Sequence, residues 1–308
     1  MRTRLAGCSM RAGFFSATGC EEGSGLHPAA LDEPAPVAPA LPDAHFHLGF
    51  VADKAEFIAD AALAGGMVFA ASVTPDEYRE TRDELVRCSG WADEGGIGAF
   101  GLVRLAVGLH PWWVLDDKAK LEADLVAFDE ALSETRFVGE VGLDFSKRRE
   151  ATRNAQLLAF RHIAKQCAEA GGKVLSVHCV KAYDDALRIL KETGCLEACT
   201  CIFHWFSGSS HQFQQAIKAG CCFSVGRRML ATKKGREYVK AIPLERLLLE
   251  TDAPDVVNSE LAQPQVAYSF AQTQASLLDT LSRLAEIRGI GASELADLIR
   301  GNALSVLG

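Results

Sequence analysis

Apolar residues fall into short continuous runs along the chain, separated by stretches that repeat with helical period. The runs are PDAHFHL (42–48), MVFAASV (67–73), RLAVGLH (104–110), FVGEVGLD (137–144), KVLSVHCV (173–180), CIFHWF (201–206), CCFSVG (221–226) and RLLLETD (246–252). Hydrophobicity that is continuous rather than alternating predicts strands covered on both faces, as in a parallel sheet. Between the runs, KAEFIADAALAG, LEADLVAFDEALSE, NAQLLAFRHIAKQCAEAGG and AYDDALRILKETG space their apolar residues three and four apart, as helices burying one face do. Gly65, Gly171 and Gly194 stand where the C-caps of such helices would fall. Residues 266–307 are expected to be helical throughout.

The eight runs are about 30 residues apart, since His45 and Asp252 are separated by 207 residues over seven repeats. That is the length of one strand–helix module. Eight modules close naturally into a barrel, so the expected fold class is α/β, a (β/α)8 TIM barrel. A doubly wound open sheet is the rival, but no glycine-rich phosphate loop follows the first run. With 48% hydrophobic residues in 308, the chain can fill one large core, assigned to residues 42–308. Residues 1–41 differ, ending in the Pro/Ala stretch ALDEPAPVAPALP, and are expected to be a disordered or extended lead-in. Arg2, Arg4 and Arg11, with no acid in the first twenty residues, resemble a transit peptide in charge, but no clear amphipathic apolar face accompanies them.

Charge and cysteines narrow the function. The net charge of -8 excludes a protein that holds nucleic acid by bulk positive potential, although a basic rim or a metal ion could still bind phosphate. No apolar stretch approaches the roughly 20 residues of a membrane span. The ten cysteines (8, 20, 88, 167, 179, 195, 199, 201, 221 and 222) form no CxxC pair and sit mostly in apolar or helical contexts. Reduced thiols and a cytoplasmic location are expected. A zinc site from Cys195, Cys199 and Cys201 is conceivable but has poor spacing.

Polar residues interrupt the strand runs at their C-terminal ends. His45 and His47 are two apart, so a strand would present both imidazoles on one side. Glu140 interrupts an apolar strand, and His178, His204 and Asp252 lie toward the ends of three others. Taken singly, each reads as a satisfied structural group. Six on the face where barrel active sites form point instead to metal, because burying these carboxylates without a cation is costly. Four imidazoles and two carboxylates suit Zn2+ or Mn2+, with Mg2+ possible if water completes the shell. Six ligands exceed one open tetrahedral site and suit two divalent ions sharing a carboxylate, a geometry that serves hydrolysis.

In order along the chain, DAHFHL, GLHP, GEVGLDF, the Gln156 and Phe160 pair, SVHCVKA, FHWFSGS, FSVGRRML, LLLETDAP and the closing GNALSVLG resemble the motif series of the TatD-type metal-dependent deoxyribonucleases. The resemblance runs from about residue 42 to the C-terminus. It implies an amidohydrolase-like barrel that hydrolyses DNA phosphodiesters. His45, His47, Glu140 and Asp252 would hold one metal, and Glu140, His178 and His204 the second, with Glu140 bridging. His110 would lie near the substrate phosphate, and Asp252 would orient or deprotonate the attacking water. Two rim segments depart from the family: DVVNSELAQPQ replaces a proline-rich loop carrying an Arg-Asn pair, and SKRREATRN is short.

Around this set, one of the adjacent Arg227 and Arg228, taken as Arg227, and Lys181 are expected to contact substrate phosphate, as Lys147, Arg148 and Arg149 could. Trp112 and Trp113 could stack a base or pack under a loop, whereas Trp205 reads as packing. Thr251 and Ser207 are candidates for orienting the ligands. The expected activity is a 3′-5′ exonuclease-like deoxyribonuclease acting on DNA ends or short oligonucleotides, and no protein partner is implied. The alternative is a hydrolase of C–N bonds or small phosphate esters. Many such barrels carry a bridging lysine where this chain has Glu140, and zinc nucleobase deaminases use cysteine ligands that are absent here. Intact metal ligation argues against a barrel that merely binds.

Overall fold

The computed structural model describes residues 39–89, 102–254 and 265–308. Most of the lead-in expectation, residues 1–38, lies outside the described residues, while Leu41 is buried and bonded to Gln274. Eight strands run β1 (Asp43–Phe46), β2 (Val68–Ala71), β3 (Val103–Leu109), β4 (Phe137–Asp144), β5 (Val174–Val180), β6 (Thr200–His204), β7 (Cys222–Val225) and β8 (Leu247–Leu249). Helices α1 (Lys54–Leu63), α2 (Pro75–Ser89), α3 (Lys118–Leu132), α4 (Arg153–Ala170), α5 (Tyr183–Glu192) and α6 (Cys195–Ala198) alternate with them. So do α7 (Ser210–Lys218), α8 (Arg227–Ala231), α9 (Lys233–Ala241), α10 (Phe270–Arg288) and α11 (Ala292–Leu307).

Every neighbouring pair from β1–β2 to β7–β8 is parallel and in chain order. β8 meets β1 through backbone bonds from Asp252 N–H to His45 O and from His47 N–H to Ala253 O. The fold is a nearly closed (β/α)8 barrel. One residue from each strand, Ala44, Phe69, Ala106, Phe137, Val174, Ile202, Cys222 and Leu248, packs inside it. The alternate residues, such as Val68, Leu105, Val177 and Phe223, face the helices. Ala303 and Leu307 of α11 join the interior set, while Arg104 and Arg136 bond the carbonyls of Leu307 and Gly308. The N-terminal end of the barrel is thereby sealed, leaving the opposite end for polar side chains.

Gly65, Gly171 and Gly194 follow helix ends with φ of 65°, 66° and 77°, the left-handed values that end a helix at little cost to glycine. The expectation of continuous helix over 266–307 is corrected. α10 stops at Arg288, Gly289 takes φ 65° at its C-cap, and α11 restarts after Gly291. No helix among the described residues is long and apolar enough to cross a membrane. Cys167, Cys179, Cys195, Cys199, Cys201, Cys221 and Cys222 are free thiols. Cys195, Cys199 and Cys201 are not among the described groups that converge closely enough for a metal ion.

Candidate metal centre

Strand alternation alone does not put the polar residues inside. Phe137 faces the interior and Val138 the helices, so strict alternation would turn Glu140 outward with Val138. The pairing of β4 with β5 shifts register between Val138 and Val141, and both valines face outward. The irregularity brings Glu140 inward. Gly108 makes room for it, because a Cβ there would lie 1.8 Å from Ser72 O and 2.6 Å from Glu140 N. A similar irregularity between Asp43 and Phe46 of β1 accompanies the inward turn of His45. His178 and His204 follow plain alternation, after Ser176 and Ile202. His47 and His110 immediately follow β1 and β3, and Asp252 lies beyond Leu249 of β8 with φ 52°.

The six expected residues converge, and Glu140 stands between two sets. Its Oε2 is 3.3 Å from both His45 Nε2 and His47 Nε2. Its Oε1 is 2.6 Å from His178 Nδ1, 2.7 Å from His204 Nε2 and 3.2 Å from His110 Nε2. Asp252 Oδ1 closes the first set, 3.4 Å from His47 Nε2 and 3.8 Å from His45 Nε2. His45, His47, His110, Glu140, His178 and His204 are all buried. Three overlapping groups could hold a metal ion: His45, His47 and Glu140; His45, His204 and Asp252; and His110, Glu140 and His178.

Hydrogen bonds on the far side of each ring decide which nitrogen carries a lone pair. His47 Nδ1 faces Ala71 O at 3.3 Å, an oxygen that only accepts, so neutral His47 keeps its Nε2 lone pair for the centre. His45 Nδ1 can donate likewise to Ser176 Oγ at 2.7 Å. His178 turns Nε2 toward Asp144 Oδ2 at 3.6 Å and Nδ1 inward. His110 is wired the opposite way. Its Nδ1 accepts the Trp112 N–H at 3.0 Å, so its proton sits on Nε2, facing Glu140. The neutral ring is a hydrogen-bond donor toward the centre, which separates it from the metal-ready imidazoles.

The buried charges show the same tension. Burial pulls His45 and His110 down to about 4. His47 is pushed up to about 10, because hydrogen bonds to Asp252 and Glu140 outweigh its burial. His178 rises to about 9 against burial, mainly through the Glu140 charge and the nearby Asp144 carboxylate. Burial alone would raise Glu140 and Asp252, yet the surrounding histidines hold both carboxyls low. The Glu140 carboxylate is compensated by crowded imidazoles and Asp252 by imidazoles and Arg228, while His204 Nδ1 has no hydrogen-bond partner, and together the residues form a donor set that fits divalent cations.

Other expected residues divide. Arg228 rather than Arg227 reaches the centre, its Nη1 lying 2.5 Å from Asp252 Oδ2. Arg227 is exposed and lines a depression with Thr251, Ala253, Tyr268, Gln272 and Asp279. Lys181 is exposed, with φ 56°, just past β5. Thr251 bonds Asp43 and Ser207 bonds Tyr183, so neither touches the centre. Trp205, expected to pack, is 37% exposed. DVVNSELAQPQ lies outside the described residues through 264.

Sequence reasoning missed three supports: Ser176 behind His45, Asp144 behind His178, and Glu250, which accepts from Ser224 Oγ and from Trp205 N–H. Ser176, Ser224 and Glu250 occupy inward positions, so alternation could have found them.

The family model described as TatD related DNase matches residues 42–308. The chain belongs to the TatD-related DNase family. The TatD relatives of similar sequence include an uncharacterized metal-dependent hydrolase, YabD, of Bacillus subtilis, 28% identical over 67% of this chain and 78% of its own. The 3′-5′ ssDNA/RNA exonuclease TatD of Citrobacter rodentium is 31% identical over 65% of this chain and 75% of its own. The Escherichia coli protein of that name is 27% identical over 77% and 96%. Among solved structures, a TatD family hydrolase from Entamoeba histolytica superposes with TM-score 0.67 at 17% identity, covering 87% of this chain and 98% of its own. The Escherichia coli TatD homologue YJJV does so with TM-score 0.61 at 24% identity, covering 86% and 97%. These likenesses show the same fold, and the family is one of metal-dependent hydrolases.

Proposed function

We propose that this TatD-family chain hydrolyses phosphodiester bonds at the ends of single-stranded DNA, as a 3′-5′ exonuclease-like enzyme using two divalent ions. One observation carries the reading: the two oxygens of Glu140 address different histidine sets, Oε2 toward His45 and His47 and Oε1 toward His178 and His204. His45, His47 and Asp252 would hold one ion with Glu140, and His178 and His204 the other. Bound there, Mg2+, Mn2+ or Zn2+ would activate water and offset charge on the phosphate oxygens. Asp252 would accept a proton from the attacking water through Oδ1, with Arg228 fixing the other oxygen. His110 Nε2–H would donate to a phosphate oxygen. Arg227 and Lys181 would meet phosphates farther along the strand. The relatives named as ssDNA/RNA exonucleases support the choice of substrate. The free thiols support a cytoplasmic setting.

The test is purified protein with each metal and end-labelled oligonucleotides. Stepwise nucleotide release, abolished in Glu140→Ala, is the expected result. No release with any metal, from wild type or variant alike, would sink the reading.

A further inference from the structure

Two half-exposed tryptophans flank the centre, and the chemistry above uses neither. Trp112 is 38% exposed and Trp205 37%. Both are fastened to the centre. The Trp112 indole N–H donates to Asp144 Oδ2 at 2.6 Å, the carboxylate that faces His178. Its backbone N–H holds His110, and its ring lies edge-on to that imidazole at 5.2 Å. Trp205 directly follows His204. Its φ of 40° is unfavourable for a bulky residue, and its N–H is tied to Glu250 Oε1 at 3.0 Å.

Each indole also carries an arginine, Arg149 at 5.2 Å from the Trp112 ring and Arg228 at 5.1 Å from that of Trp205. One pair stands beside the histidines of the β3 and β5 ends, and the other beside His204 and Asp252. An aromatic face next to a guanidinium, once on each side of a phosphate-cleaving centre, suits bases and phosphates in alternation. The net charge of -8 makes long-range attraction of a nucleic acid weak, so contact has to come from such local features.

We propose that Trp112 and Trp205 are stacking platforms for the nucleobases on either side of the scissile phosphodiester. They give the enzyme its preference for unpaired, base-bearing ends. This rests on the phosphodiesterase reading. In a duplex the bases are paired and stacked on one another, so seating successive bases on the two platforms requires unpairing them, which favours DNA or RNA single strands over paired ends.

The experiment compares single-stranded hexathymidylate with the same strand carrying abasic residues at its last two 3′ positions. The proteins are wild type, Trp112→Leu, Trp205→Leu, Trp112→Phe and Trp205→Phe. Wild type should show a KM roughly tenfold or more higher for the abasic strand. Each Leu variant should raise KM for the normal strand by about that factor and shrink the abasic penalty, with the loss falling mainly on KM, while the Phe variants keep most of the discrimination. The inference is overturned if wild type ignores the missing bases or if the Leu variants keep the full penalty. If wild type cleaves neither strand with any metal, the phosphodiesterase reading fails, and binding decides the platforms separately. Hexathymidylate should then quench tryptophan fluorescence of the metal-free protein, less so in the Leu variants. Equal quenching in all five proteins refutes the inference.

Discussion

Asp252 is divided between Arg228 and the histidines. Its Oδ2 accepts from Arg228 Nη1 at 2.5 Å, while Oδ1 lies 3.4 Å from His47 Nε2. The carboxylate projects from a residue with φ 52° just past β8, so the arginine fixes its direction. Replacing Arg228 by Ala removes a charge-assisted hydrogen bond, a class of contact worth about 1.5–3 kcal/mol. Turnover of an oligonucleotide should therefore fall roughly 10- to 100-fold, with metal content unchanged because His45, His47 and Glu140 remain. Arg228→Lys should fall between the two. Steady-state kinetics beside elemental analysis measures both, and an Arg228→Ala variant as active as wild type would remove this role.

Glu140 makes the metal content a discriminating measurement. If its two oxygens serve two ions, Glu140→Ala should lose both, whereas His47→Ala and His204→Ala should each lose about one. Elemental analysis after reconstitution and desalting gives the count. Two ions retained by Glu140→Ala, or complete loss in His204→Ala, would contradict a shared carboxylate.

Much of this was legible in the sequence because burial on both faces writes itself as continuous apolar runs, and eight of these at module spacing leave few topologies. The six polar interruptions marked the right end of the barrel. How they meet was less legible. Glu140 points inward because β4 shifts register between Val138 and Val141, and a sequence read by alternation would have turned it to the helices. Asp252 lies past the last strand residue rather than on it, held by its backbone bond to His45 O. Asp144 ends β4 but gains meaning only through Trp112 and His178, residues 32 and 34 positions away. Arg227 and Arg228 are adjacent in sequence. Only the geometry of α8 shows that the second one meets the centre.

The closing helix supplies a stability prediction. Asn302 Nδ2 donates to Leu244 O at 2.6 Å and to Leu247 O at 2.8 Å, pinning α11 to the start of β8. Asn302→Ala removes both bonds at the sealed end of the barrel, far from the metal centre. A loss of about 1–3 kcal/mol is expected, or roughly 2–10 °C in Tm. Thermal unfolding checks it, and an unchanged Tm would mean that the apolar packing of α11 and the Arg104 and Arg136 bonds hold it without Asn302.

Glu77 should make the metal-free protein lose stability as pH rises. It is buried at the start of α2, where Oε2 accepts from Val73 N–H at 2.6 Å and Oε1 has no hydrogen-bond partner. A Cβ on Gly49 would collide with this carboxyl, so the packing is close. Burial raises the group from 4.5 to about 7, with the Val73 hydrogen bond opposing it. Below pH 4.5 both folded and unfolded chains carry the proton, and the group adds no pH dependence. Between pH 4.5 and 7 the unfolded chain releases it while the fold retains it, so stability falls, by about 3 kcal/mol across the window. Above that window both states are ionised and the penalty is constant. Glu77→Gln keeps the shape and an acceptor for Val73 but cannot ionise. Measured in chelator, its Tm should match wild type near pH 4 and exceed it by roughly 5–10 °C at pH 8. A Tm difference that stays constant from pH 4 to 8 would show that Glu77 does not titrate in this window.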